Sequence, residues 1–316
     1  MPKTAEVTFS GSIPENYDKY LGPLMFVPSA QDLARRLPAT GLNDVLELAC
    51  GTGILTQILR ERLGEATKLT ATDLSEGMIK VAKTKTIEKK VDWKVVDATT
   101  LPFKDGSFDV VVCQYGVMFF PDKEKAMSEI FRVLRPGGRL LFNVWDKLKY
   151  NELPRIAHGV IEKLFDGNPP TFYQIPFGFN DHFVIRSLLR GAGFNDVGLT
   201  TLEMKFQAKP EDAAMGYIEG NPILDEIKKL GKDVTEVRQA VERAIASELG
   251  SKMAKGKGQA IVVGARKPMS ASTPKQEVHA KESKPKPEVH TKEAKPKPAS
   301  KKPGAKAAKP KPATKK

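Results

Sequence analysis

Val45-Leu-Glu-Leu-Ala-Cys-Gly-Thr-Gly-Ile54 joins a short apolar run to a glycine-rich turn and then opens an amphipathic stretch. Val45–Leu48 reads as a strand, and Ile54–Leu63 repeats its apolar residues at helical spacing. Between them, Gly51 and Gly53 let the chain turn tightly and bring backbone close to a ligand. The start of the following helix offers free amides to an anionic group. A dinucleotide fingerprint would place a third glycine where this chain has Thr56.

Working outward, strands and helices alternate. Lys68–Thr72, Trp93–Val96, Phe108–Cys113, Arg139–Trp145, Asp196–Phe206 and Gln259–Arg266 read as further strands. Glu76–Lys83, Lys123–Leu134 and His182–Gly191 read as helices, the second stopped by Pro136-Gly-Gly138. The pattern predicts an α/β fold, a doubly wound, Rossmann-like, seven-stranded and mostly parallel sheet with helices on both faces. The domain spans 38–266. Two stretches depart from the alternation: 147–180, with a helix near Leu153–Phe165 and an aromatic loop at 169–179, and the helical 210–255. Both follow strands and are expected above the carboxyl edge of the sheet, where open α/β sheets bind ligands. With the N-terminal segment 1–37 they form the expected helical substrate cap.

Residues 267–316 differ in kind. They hold 15 Lys, no Arg, 4 Glu, nine Pro and no aromatic residue, a charge of +11 that leaves only +2 of the chain's +13 for residues 1–266. Lysine repulsion and proline predict a disordered tail. Within it, residues 277–287 recur as 288–298 with nine of 11 positions identical. The composition resembles the lysine-, alanine- and proline-rich tails of linker histones. Such a tail can neutralise phosphates of nucleic acid or another polyanion without reading sequence, or act as a solvated solubility tail. The two cysteines, Cys50 and Cys113, lack disulfide-framework or metal-site spacing, so a reducing cytoplasm and no metal are expected. The most apolar stretch, 108–120, is too short for a membrane span.

Three acidic residues end strands or open turns beside the glycine motif. Glu47 precedes it. Asp73, 20 residues beyond Gly53, can accept both hydroxyls of a ribose or begin the next helix. Asp97 can accept from an adenine amino group or shape its own turn. The order Val45…Gly53, Ala71-Thr-Asp-Leu-Ser75, Asp97-Ala98, Leu101-Pro-Phe…Ser107-Phe-Asp-Val110 and Leu134-Arg-Pro-Gly-Gly138 resembles the class I S-adenosylmethionine-dependent methyltransferases. It is most similar to their small-molecule group, the ubiquinone/menaquinone-biosynthesis type.

The resemblance implies S-adenosylmethionine as cofactor and methyl transfer to a small, apolar or planar acceptor. It places Gly51 and Gly53 along the methionine part and Glu47 at its amino group. Asp73 falls at the ribose, Leu74 and Met78 on the adenine, Asp97 and Ala98 at the adenine amine and edge, and Gln114 and Tyr115 beside the sulfonium. Ala49 stands where the family most often has glycine. A displacement of this kind can run on alignment and desolvation, so no base need appear. The candidates for one are His158, His182, Tyr17, Tyr20 and Asp146, each of which also reads as packing, capping or surface. Two other readings stay open: a nucleic-acid-associated protein whose domain senses cofactor or is inactive, and a nicotinamide-dependent oxidoreductase.

Overall fold

The computed structural model describes residues 9–38, 40–85 and 90–269. Seven strands, β1 Asp44–Leu48, β2 Lys68–Asp73, β3 Asp92–Val95, β4 Phe108–Gln114, β5 Leu134–Trp145, β6 Asn195–Ala208 and β7 Ala254–Arg266, lie in the order β3-β2-β1-β4-β5-β7-β6. The pairs from β3 to β5 are parallel; β7 runs antiparallel to both β5 and β6. β4 carries the deepest core: Val110, Val111, Val112 and Cys113 are all fully buried. That is why Val110–Cys113 reads as an unbroken apolar run rather than an alternating one.

In chain order the helices are α1 Ile13–Asn16, a π-helical stretch Tyr17–Phe26, α2 Val27–Arg35, α3 Ile54–Arg62, α4 Glu76–Thr84, α5 Lys123–Val133, α6 Glu152–Leu164, α7 His182–Gly191, α8 Pro210–Glu219, α9 Ile223–Lys229 and α10 Val234–Leu249. Short polar side chains start several of them. Ser75 accepts from the Met78 amide, Asp122 from Lys125, Asp181 from Phe183 and Val184, and Asp233 from Glu236. Each such cap satisfies amides with no partner inside the helix. α6, α8 and α10 pack on one another, and α8 packs on the π-helical stretch. Helices from the two insertions and the N-terminal segment thus pack against one another.

Three boundaries differ from expectation. The stretch 210–255 is not helical to its end: β7 begins at Ala254 and pairs with β6 through Ala208. Its glycines at 256 and 258 hide a strand, and a Cβ at Gly256 would lie 2.5 Å from both the Glu152 carboxylate and the Phe206 ring. β5 begins at Leu134, ahead of its proline and glycines. The fold also runs past 266. The Lys267 ammonium donates to the carbonyls of Phe131 and Leu134, each at 2.7 Å, and its backbone amide donates to Gly138. From residue 270 onward the expected tail, with its repeats, lies outside the described residues.

Cys50 and Cys113 are both free and buried. Burial pushes the Cys113 thiol up to about 12 and raises Cys50 as well. The native protein should therefore resist a thiol reagent at pH 8, and denaturation without reductant should release two reactive thiols per chain. Finding none after denaturation would reveal a disulfide and overturn this packing.

Candidate functional site

The carboxyl ends of β3, β2, β1 and β4 are neighbours, so four short segments distant in sequence meet at one edge. Glu47 is 1 % exposed, pairs in register with Ala71 and Val112, and neither carboxylate oxygen has a hydrogen-bond partner among the described residues. The buried Thr56 hydroxyl beside it is also unpartnered. Burial pushes Glu47 up to about 8, and the Asp73 charge adds to the rise. An orphaned buried carboxyl is costly unless a ligand completes it. A cationic group is the partner that would reverse the cost.

After Glu47 the chain turns through left-handed backbone at Ala49 (φ 50°), Gly51 (φ 55°) and Gly53 (φ 77°). Ala49 thus occupies a glycine-type conformation, which costs an alanine roughly 1 kcal/mol. Its methyl explains Gly116, where a Cβ would lie 2.4 Å from that of Ala49. Around Gly51 a Cβ would meet nothing within 4 Å, so the turn opens onto empty space. Asp73 has two tasks in the sheet edge. One oxygen accepts from the Gly51 amide at 2.8 Å and the other from Ser75 at 2.8 Å. Desolvation raises its pKa against the pull of those amides. Leu74 is 63 % exposed and Val95, in register with Asp73, is 54 % exposed. Two bare aliphatic side chains flank the carboxylate, and Met78 is buried. In sequence Val95 is one member of a strand, and only its register with Asp73 brings it beside that carboxylate. Asp97 is exposed and accepts from the Thr99 amide at 2.7 Å, and Ala98 is buried behind it.

Asp73→Ala should weaken S-adenosylhomocysteine binding by about 1.5–3 kcal/mol, the range for hydrogen bonds to charged groups. Because Asp73 also holds Gly51, Asp73→Asn should recover part of the loss. Calorimetry on folded variants reads both, and unchanged affinity in Asp73→Ala would remove Asp73 from the site.

On the β4–β5 side the edge becomes aromatic. Tyr115 (φ 51°) is buried and stacks on Trp145 with ring centres 4.0 Å apart and planes 11° from parallel. Its hydroxyl meets Ser29 Oγ at 2.8 Å, and Ser29 donates to the Met25 carbonyl. These two rings, with Tyr17, Phe26, Phe172 and Phe177, line a cavity enclosing about 560 Å³ of empty space including its open mouth. Among the described residues no Asp, Glu, Lys, Arg or His lines it. The phenols of Tyr17, Tyr115 and Tyr173 are all held protonated by burial. Gln114, expected beside the reacting centre, donates instead to the Phe26 carbonyl at 3.2 Å.

Of the five candidate bases, only Tyr17 lines this cavity. It stacks on Phe26 at 4.5 Å and feels the Asp73 charge, so it lies between the two halves of the edge. Tyr20 packs toward Gly216 and under Lys19. His158 faces Glu162 at 3.4 Å on its own helix. His182 is exposed at the start of α7, which packs on β6 and α5 rather than on the cap. Asp146 accepts from Gln259 at 2.6 Å and from the Lys147 amide at 2.7 Å, a structural cap on the next segment. Among the described residues no acidic, histidine and cysteine cluster suits a metal, and no helix is long and apolar enough to cross a membrane.

Residues 46–142 match the family described as methyltransferase domain. The chain is 40 % identical over 137 residues to a demethylmenaquinone methyltransferase of Lactococcus lactis, covering 41 % of this chain and 54 % of that protein. It is 34 % identical over 172 residues to a ubiquinone/menaquinone biosynthesis C-methyltransferase of Hydrogenovibrio crunogenus, covering 48 % and 66 %. The chain therefore spans between about half and about two thirds of these relatives. Among solved structures it is similar in fold to a putative methyltransferase of Haloferax volcanii in complex with the activator Trm112 (TM-score 0.51, 20 % identity, 84 % of this chain and 100 % of that one). It is similar also to phosphoethanolamine N-methyltransferase 2 of Haemonchus contortus in complex with S-adenosyl-L-methionine (TM-score 0.51, 17 % identity, 81 % and 56 %).

Proposed function

We propose that this chain, which carries a class I S-adenosylmethionine-dependent methyltransferase domain, transfers a methyl group to a planar, apolar small molecule of the hydroquinone kind. The cofactor is S-adenosylmethionine, and when bound it supplies a methyl group activated by a sulfonium. The residues at the edge fit it. Glu47 would take its ammonium and gain the partner it lacks. Gly51 and Gly53 would cradle the methionine part, with Ala49 shaping the turn. Asp73 would accept from the ribose hydroxyls. Leu74, Met78 and Val95 would hold the adenine, with Asp97 and Ala98 at its edge.

The single observation behind the acceptor class is the cavity: aromatic, without a charged side chain, and adjoining the cofactor edge through Tyr17 and Tyr115. Such walls exclude water and offer ring faces to a flat molecule. A charged amine would enter it unpaired, which disfavours acceptors such as phosphoethanolamine. The curated relatives named above are similar in sequence and carry names of quinone C-methylation, which supports the same class. With no ionisable carboxylate or imidazole in the walls, Tyr17 serves as a proton-holding donor to an acceptor oxygen rather than as a base. Tyr115 and Trp145 form the platform on which the ring lies.

The test is transfer from methyl-labelled S-adenosylmethionine to a short-chain naphthohydroquinone with a free ring position. Label should pass into the organic phase, and Tyr17→Phe should slow it. Label appearing only on phosphoethanolamine or glycine would contradict this acceptor class.

A further inference from the structure

The segment that walls the acceptor cavity is also tied to the cofactor edge, loop by loop. The Thr52 hydroxyl, between the two glycines of the turn, donates to Asp18 Oδ1 at 2.6 Å. Lys85, just past α4, reaches the same oxygen at 2.6 Å. Ser75, two residues after Asp73, donates to the Phe9 carbonyl at 3.1 Å. Gln114 and Tyr115 reach Phe26 and Ser29 as described. Each of the three loops that end β1, β2 and β4 thus hands a side chain to residues 9–29.

Among these contacts the one to Asp18 differs in kind. It is charge-assisted, and Thr52 is 1 % exposed. Hydrogen bonds to ionised acceptors are shorter and roughly twice as strong as neutral ones. Asp18 also follows Tyr17 in the π-helical stretch, an uncommon geometry that concentrates at functional positions. Asp18 shares this stretch with Tyr17, Leu21 and Phe26, which line the cavity.

We infer that Asp18 is a positioning residue: its bond to Thr52 latches the acceptor cap onto the cofactor turn, so that cofactor leaves only when the latch opens. The inference rests on the cofactor assignment made above. A half-buried ion pair with Lys85 alone would be worth little and would not involve Thr52. The latch predicts that the hydroxyl matters as much as the carboxylate.

The experiment uses the full chain and S-adenosylhomocysteine, with stopped-flow tryptophan fluorescence reading its release. Asp18→Ala and Thr52→Val should each speed release on the order of tenfold, the equivalent of one hydrogen bond to a charged group. The double variant should be no faster than either single one, since both break one contact. Asp18→Asn, which keeps an oxygen for Thr52 but not the charge, should restore only part of the slow release. Hydrogen exchange over residues 17–26 should slow on binding in the parent and not in Asp18→Ala. If the parent binds and both variants release at its rate, the latch is wrong and the cofactor site stands. If the parent does not bind S-adenosylhomocysteine at all, the cofactor assignment fails and takes the latch with it.

Discussion

Glu47→Gln should make the ligand-free protein more stable at pH 8 while costing cofactor affinity about 10- to 150-fold, or 1.5–3 kcal/mol. The stability half follows from linkage. The buried carboxyl titrates near 8 in the fold against an ordinary 4.5. Between those values the folded protein holds a proton that the unfolded chain has shed. Stability therefore falls as pH rises through this window, by up to about 1.4 kcal/mol per pH unit, and is untouched by the group below it. Glutamine removes that dependence. A gain on the order of 4 kcal/mol is expected at pH 8 and almost none near pH 4.5, read by denaturant unfolding at both. The affinity half follows from charge, because glutamine offers the cofactor's ammonium no counter-ion. Binding to the parent at pH 6 should also release about one proton, since a cation beside Glu47 returns its pKa toward the ordinary range. Calorimetry in buffers of different ionisation enthalpy reads that proton. A Glu47→Gln variant that binds as tightly as the parent would sink the assignment.

Trp145→Ala should be the most damaging change on the acceptor side. Trp145 is 8 % exposed, stacks on Tyr115 and lies near Phe26 and Phe177. Truncation should cost about 3–5 kcal/mol of stability. It should also abolish methyl transfer to the hydroquinone while leaving S-adenosylhomocysteine affinity within about threefold, a shift near 0.6 kcal/mol. Trp145→Phe keeps a ring face and should retain fold and part of the activity, which keeps the test open should the alanine variant unfold. Normal turnover in a folded Trp145→Ala protein would show that the platform lies elsewhere.

The two halves of the site differ in how far sequence exposes them. Glu47, Gly51, Gly53 and Asp73 are readable because a parallel sheet places the ends of adjacent strands side by side. Strand ends are visible as apolar runs giving way to glycine or acid. Ala49 could be named as a departure, but its left-handed backbone appears only in three dimensions. The acceptor half is assembled from residues 9–26, 115–119, 145–177 and 217–221, whose meeting no local pattern announces. For that reason the sequence offers His158, His182, Tyr20 and Asp146 beside Tyr17, and nothing in Asn16-Tyr-Asp-Lys-Tyr20 marks Asp18. The seven strands and their alternation with helices were legible because each carries its own periodicity. β7 starts ahead of Gln259 because Gly256 and Gly258, which carry no apolar signal in sequence, mark close approach of neighbouring side chains.

Calorimetric titration of the full-length protein with S-adenosylhomocysteine, alongside NAD, tests the central claim most directly. The account predicts saturable binding of one S-adenosylhomocysteine per chain, lost or strongly weakened in Asp73→Ala and Glu47→Gln, and no heat with NAD. Saturable binding of NAD with none of S-adenosylhomocysteine would contradict it.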